Sequence, residues 1–136
     1  MIDLNGLKRE VLVECEEDYV GLWSIIWRVR YALNDGEYPP SEEDRADPLE
    51  VRRITLRLVQ ELLESGLVQA GSPTPDGRGF EPWSLGACES LARIESEWGA
   101  LAREPNIGEI VWFTATEKGE RTLDSWRDRH ETEGIR

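Results

Sequence analysis

The nine residues Phe113 to Arg121, FTATEKGER, enter as a strand and leave as a charged helix. How the chain makes that change decides how the rest is read. The run that precedes the junction, EIVWFTAT (109–116), is apolar on both faces, as a covered strand is. Thr116 belongs to the residue types that cap a helix N-terminus by accepting from its orphan N–H groups. The helix that follows carries Leu123 and Trp126. Gly119, having no Cβ, lets that helix lie close to the strand layer. Thr-Glu-Lys-Gly therefore reads as a structural junction, with a binding site as the alternative.

Working back from the junction, a clear amphipathic helix starts at Asp47 as cap and Pro48 as first helical residue. Val51, Ile54, Thr55, Leu58, Val59, Leu62 and Leu63 form its buried face, and Gly66 ends it as a left-handed cap. LVQA (67–70) follows as a short strand predicted to pair antiparallel with the run near 110–114. GSPTPDGRG (71–79) reads as a loop from its Gly, Pro and Asp content. A further helix is expected from about Ser84 to Ala102, with Leu91, Ile94, Trp98 and Leu101 on one face, closed by Pro105 and Gly108.

The N-terminal third is less clear. REVLVECEE (9–17) alternates, and its β-branched valines favour a strand, although Leu7, Val11 and Cys15 also recur at the helical spacing of four. Asp18 is placed to cap a helix running to about Leu33, apolar nearly all round and so expected at the centre of the core or against a second subunit. NDGEYPPSEEDRADP breaks that pattern and offers a short helix after Ser41. The tail at 131–136 is poor in apolar residues and expected to fray.

Composition narrows the function. A chain of 136 residues, 39% hydrophobic, is one domain with a real core. The net charge of −12 opposes broad nucleic-acid binding, which depends on Lys and Arg displacing counterions. Acidic clusters at 14–18 and 35–47 read as solvated surface, with docking of a basic partner as the sharper alternative. Cys15 and Cys88 form no C-x-x-C motif and no Cys/His cluster, which argues against a zinc site and against a disulfide scaffold. The N-terminus shows no secretory pattern and no run reaches the roughly 18 apolar residues of a membrane span, so a cytoplasmic location is expected.

Two motifs in order, LLESGLV (62–68) and ATEKGER (115–121), resemble the end of the third helix and the second wing strand of bacterial winged-helix domains of the MarR or PadR type. The resemblance, which covers about Asp18 to Leu123, implies an α+β, winged-helix-like fold, mostly helical with a small antiparallel β-hairpin, within the single domain, 1–136, that the length suggests. Residues 71–108 would then be an unusual helical insertion between the wing strands, and Ala115 stands where the family has leucine. It also implies homodimers, and a recognition helix on which Arg52, Arg53 and Arg57 would meet DNA.

Chemistry leaves few marks. The only histidine, His130, lies near the tail, and no nucleotide-binding glycine motif occurs. Glu95 and Glu97 flank an apolar stripe and read as solvated. No catalytic, cofactor-binding or metal-ligating residue is assigned. Arg28 and Arg30 are expected in ion pairs at the edge of the core or at an interface. Trp23, Trp27, Trp98 and Trp112 are expected in the core, whereas Phe80 and Trp83 are candidates for an exposed protein-contact patch. The expected function is thus a non-catalytic interaction or regulatory module that binds a protein partner or itself. The alternative is a dimeric DNA-binding regulator, and an enzyme with an unrecognised site is a third reading.

Overall fold

The computed structural model describes residues 2–37 and 46–134, with side chains through residue 129. The expected short helix after Ser41 lies outside the described residues. In chain order the elements are α1 (Leu4–Cys15), β1 (Val20–Gly21), α2 (Leu22–Leu33), α3 (Pro48–Glu64), β2 (Val68–Pro73), β3 (Phe80–Pro82), α4 (Ala87–Leu101), β4 (Trp112–Ala115) and α5 (Glu117–Gly134). The molecule is α+β and mostly helical, with one antiparallel sheet in the order β1-β4-β2-β3.

Strand β4 sits inside that sheet, between elements distant in sequence. The two runs pair antiparallel as the sequence predicts, in a register that sets Val68 opposite Ala115, Gln69 opposite Thr114 and Ala70 opposite Phe113. On its other edge β4 pairs with β1, Val20 opposite Phe113. Since side chains alternate along a strand, Val20, Ala70 and Phe113 share one face and enter the core. Gly21, Gly71 and Trp112 share the other.

The junction after β4 is held from three directions. Thr116 caps α5: its Oγ1 accepts from the Gly119 N–H at 3.0 Å and donates to the Gly66 carbonyl. The Thr116 N–H donates to the Leu67 carbonyl at 3.0 Å. Gly66 has φ +71°, the left-handed turn that ends α3. A Cβ on Gly119 would stand 2.1 Å from the Leu67 carbonyl oxygen. GLV and TEKG are therefore two halves of one contact, which explains their residue types.

The N-terminal segment corrects the expected strand. Residues 4–15 form a helix that buries Leu7, Val11 and Leu12 and leaves Val13 39% exposed. The alternating face of Val11 and Val13 is thus split. Burial at helical spacing, together with a Lys8–Glu61 ion pair at 2.8 Å to α3, outweighs the β preference of two valines. The same ammonium, by donating to the Glu61 carboxylate, holds that group below its ordinary pKa. Asp18 does not cap α2. Its carboxylate accepts from the neighbouring Tyr19 N–H at 2.7 Å, β1 intervenes, and Gly21 takes the cap position.

The expected loop at 71–79 is another correction. Strand β2 continues to Pro73, and the chain turns back into β3, with Ser72 opposite Glu81. Thr74 N–H donates to the Gly79 carbonyl at 3.0 Å, and Gly77 has φ +72° at the turn. Asp76 accepts from the Arg78 N–H at 3.1 Å. Asp-Gly between two short β runs is a hairpin signal in its own right.

The return from α4 to β4 is tightly bent. Ile110 has φ +69°, and Val111 N–H donates to the Glu109 carbonyl at 2.9 Å. A three-residue turn of that hand at a β-branched residue is strained. Glu109 holds the loop: it accepts from Arg103 at 2.7 and 2.9 Å and from the Asn106 N–H at 2.7 Å. Those donors, Arg103 first, lower its carboxyl to about 2. Arg30 adds a pair with Glu104, tying α2 to the same connection. The backbone of α5 is helical to Gly134, and the last two residues of the tail lie outside the described part.

Candidate functional site

Helix α3 carries the three arginines that the winged-helix resemblance would set against DNA, and the structure separates their roles. Arg52 turns toward α4. Its guanidinium lies 5.3 Å from the centre of the Trp98 ring and donates to the Glu95 carbonyl at 3.4 Å. Arg57 is exposed and pairs with Glu61 at 3.5 Å. Arg53 is exposed with no hydrogen bond or ion pair among the described residues. The three are on one helix but do not form one free basic surface.

The cause is the course of α4. The helix packs along α3, burying Ser90, Ile94 and Trp98, while α3 contributes Val51, Thr55 and Leu58 to the buried interior. Helix α2 lies against α3 as well, through Ile25, Ile26 and Val29 in the same core. With α2 and α4 both packed on it, α3 keeps an outer strip in which Glu50, Glu61 and Glu64 alternate with Arg53 and Arg57. Alternating signs at this spacing neutralise one another.

Phe80 and Trp83, the candidate contact pair, part company. Trp83 is 8% exposed. Its indole N–H donates to Ser72 Oγ at 2.8 Å, and Arg93 covers its ring at 3.9 Å. Arg93 in turn donates to Glu97 at 2.8 Å. This corrects the expectation of an exposed Trp83: a buried tryptophan keeps its N–H satisfied, and both partners come from other elements. Phe80 remains partly exposed on the outer face of the sheet. Its ring stacks on Tyr19 at 5.0 Å, and Tyr19 stacks on Trp112 at 5.8 Å.

This row of rings exists because of a glycine. Gly71 lies between β4 and β3, and a Cβ there would meet Phe80 Cζ at 2.4 Å. The Phe80 ring occupies the space a side chain would need. Pro73 and Pro82, paired with Phe80 and Gly71, extend the same apolar face. Tyr19 is 37% exposed, and Trp112 is half-buried instead of in the core. Trp23, also expected in the core, is 37% exposed, and Trp27 is half-buried; Trp98 is buried as expected. The outer row of Tyr19, Phe80 and Trp112 was not legible as a unit, because its members come from β3, β4 and the residue before β1, which are far apart in sequence.

Reactive groups are dispersed. Cys15 is pushed up to about 12, chiefly by burial and then by the neighbouring Glu14, so its thiol stays protonated at neutral pH. Cys88 is exposed, and neither cysteine is in a disulfide. Arg28 pairs with Glu14 at 3.0 Å. Among the described residues no group of three or more His, Cys, Asp or Glu is placed to hold a metal ion. No described helix is long and apolar enough to cross a membrane. No family model matches the chain, and no curated protein or solved structure matches it.

Proposed function

We propose that this chain is a non-catalytic interaction or regulatory module of bacterial winged-helix type that binds a protein partner or itself. The order of elements supports the winged-helix reading. A short strand between the first two helices lines the edge of β4, α3 leads into β2, and β4 leads into the last helix. The observation that carries the interaction reading is the packing of α4 on α3 with Arg52 drawn onto Trp98, which leaves the recognition-like helix no continuous basic face. The row Tyr19–Phe80–Trp112 supplies an apolar surface instead. Partly exposed aromatics are the anchors that protein contacts favour. Glu17 and Asp18, exposed beside Tyr19, would favour a basic rim on a partner, whereas Glu14 and Glu16 are already paired with Arg28 and Arg127.

DNA binding as a dimer is the second reading, and Arg53 favours it: it is exposed and uncommitted on the open strip of α3, beside exposed Arg57. Self-association is common to both readings, since a two-fold pair is the commonest oligomer. Light scattering at micromolar concentration is expected to give twice the chain mass of 15.6 kDa. Replacing Phe80 by serine is expected to shift that species toward the monomer. A monomer mass throughout the range would contradict self-association, and a dimer untouched by Phe80→Ser would move the contact off the sheet.

A further inference from the structure

The N-terminus of α1, the C-terminus of α2 and the first half of α3 meet around a groove of about 560 Å³. Its apolar lining is Ile2, Leu4, Ala32, Leu33 and Ile54, each in the core or packed against it. Four charged side chains share the lining: Asp35, Glu50, Arg53 and Arg57. Arg57 pairs with Glu61, whose other oxygen accepts from Lys8 at 2.8 Å, so Glu61 is committed. Arg53, Asp35 and Glu50 are exposed, and none has a side-chain hydrogen bond or ion pair among the described residues. Arg53 stands one turn from Arg57, a like charge that repels it. Glu50 lies three residues before Arg53, about 4.5 Å along the helix axis, yet the two make no ion pair. Asp35 follows α2, whose C-terminus adds partial negative charge at that end of the groove.

The groove is thus close to neutral in sum, but its unlike charges do not satisfy one another. A simple anion would be drawn to Arg53 and opposed by Asp35 and Glu50, and a simple cation would meet the reverse. A ligand that carries both charges close together satisfies both ends. Guanidinium takes a carboxylate through paired N–H donors, and an ammonium donates to carboxylates from a compact group. The volume lies within the roughly 300–1,000 Å³ of small-molecule sites. We infer that this groove binds a small apolar α-amino acid as its zwitterion, with the carboxylate on Arg53, the ammonium facing Asp35 and Glu50, and the side chain against Leu33 and Ile54. The inference does not rest on partner docking or self-association, because the aromatic row lies on the sheet.

Leucine and two analogues that each lack one charge test it: isopentylamine, without the carboxylate, and isocaproate, without the ammonium. Amide chemical shifts of the protein, followed at about 150 mM salt where charges beyond roughly 8 Å are screened, read both affinity and place. Leucine is expected to shift the amides of Leu33, Asp35, Arg53 and Ile54 saturably, with a Kd of about 1 mM, as the size of the ligand allows. Each analogue is expected to bind about tenfold more weakly, the loss of one hydrogen bond between charged groups. The amine is the stringent case, because a protein of net charge −12 attracts any cation. Arg53→Gln is expected to weaken leucine about tenfold and bring it level with the amine. The double variant Asp35→Asn with Glu50→Gln is expected to weaken it about tenfold and bring it level with isocaproate. The three side chains are exposed, and asparagine tolerates the φ of +54° at Asp35, so unchanged circular dichroism is expected. Absence of a saturable shift, shifts centred elsewhere, an analogue that binds as tightly as leucine, or indifference of leucine to Arg53→Gln or to the double variant would overturn the inference.

Discussion

Gly119→Ala is expected to destabilise the protein by about 3 kcal/mol, the range in which overpacking of a filled space falls. The added Cβ would lie 2.1 Å from the Leu67 carbonyl oxygen, 3.1 Å from the Leu67 carbonyl carbon and 3.3 Å from Leu12 Cδ2. Backbone cannot swing aside as a side chain can. Relief requires α5 to move away from the turn after α3, against the Thr116-to-Leu67 hydrogen bond. The sign is the informative part, because glycine to alanine within a helix is ordinarily stabilising by up to about 1 kcal/mol. Gly99→Ala in α4 supplies the contrast. Its Cβ would meet only the end of the Arg52 side chain at 3.7 Å, an ordinary contact. Thermal unfolding should therefore show the Gly119 variant roughly 10 °C below the parent and the Gly99 variant level with it or above. Equal melting temperatures for the two variants would dissolve the proposed contact between GLV and TEKG.

Phe113→Ala is expected to cost about 3–5 kcal/mol, the usual loss for a buried phenylalanine. Phe113 is 1% exposed and lies on a strand flanked by β1 and β2, opposite Val20 on one side and Ala70 on the other. Its loss opens a cavity where three strands meet the helices. Trp112, one residue earlier, is half-buried on the other face, and its replacement by alanine should cost clearly less. A slip of one residue in register would exchange the two side chains and reverse the order. Chemical denaturation of both variants measures that order. A Trp112 variant less stable than the Phe113 variant would place the strand in the wrong register.

The parts of the fold legible in the sequence were those with a local mechanism. Gly66 was readable because only a left-handed residue ends α3 in that way. Thr116 was readable as a cap and Gly119 as a point of close approach. The pairing of the run at 67–70 with that near 110–114 followed from two β-prone runs around a self-contained helix, and the structure sets it at 68–71 with 112–115. Helix α1 was harder, because valine favours strands locally and only packing against α3 and α5 resolves it. The β2–β3 hairpin was obscured by prolines, although Asp76-Gly77 marked its turn. Surface composition depends on contacts distant in sequence. Trp83 is covered by Ser72 and Arg93, Arg52 is drawn to Trp98, and Phe80 sits in the space left by Gly71. None of these is visible until β2, β3 and α4 have packed on one another and α4 on α3.

The same folding-back shapes the proposed function. A protein of net charge −12 is repelled by a duplex at long range, and within a Debye length of roughly 8 Å only direct contacts favour binding. DNA-binding proteins can make roughly six to ten phosphate contacts. Here Arg52 is held by α4 and Arg57 by Glu61, so Arg53 is the single uncommitted arginine of the three. A dimer doubles the arginines and the acids alike. Fluorescence anisotropy with a labelled random duplex at about 150 mM salt tests this directly. No titration is predicted across the range of roughly 1–100 µM in which DNA-binding proteins show non-specific affinity. A clear titration that weakens steeply with salt, and weakens further on Arg53→Ala, would contradict the interaction-module account and establish the DNA-binding one.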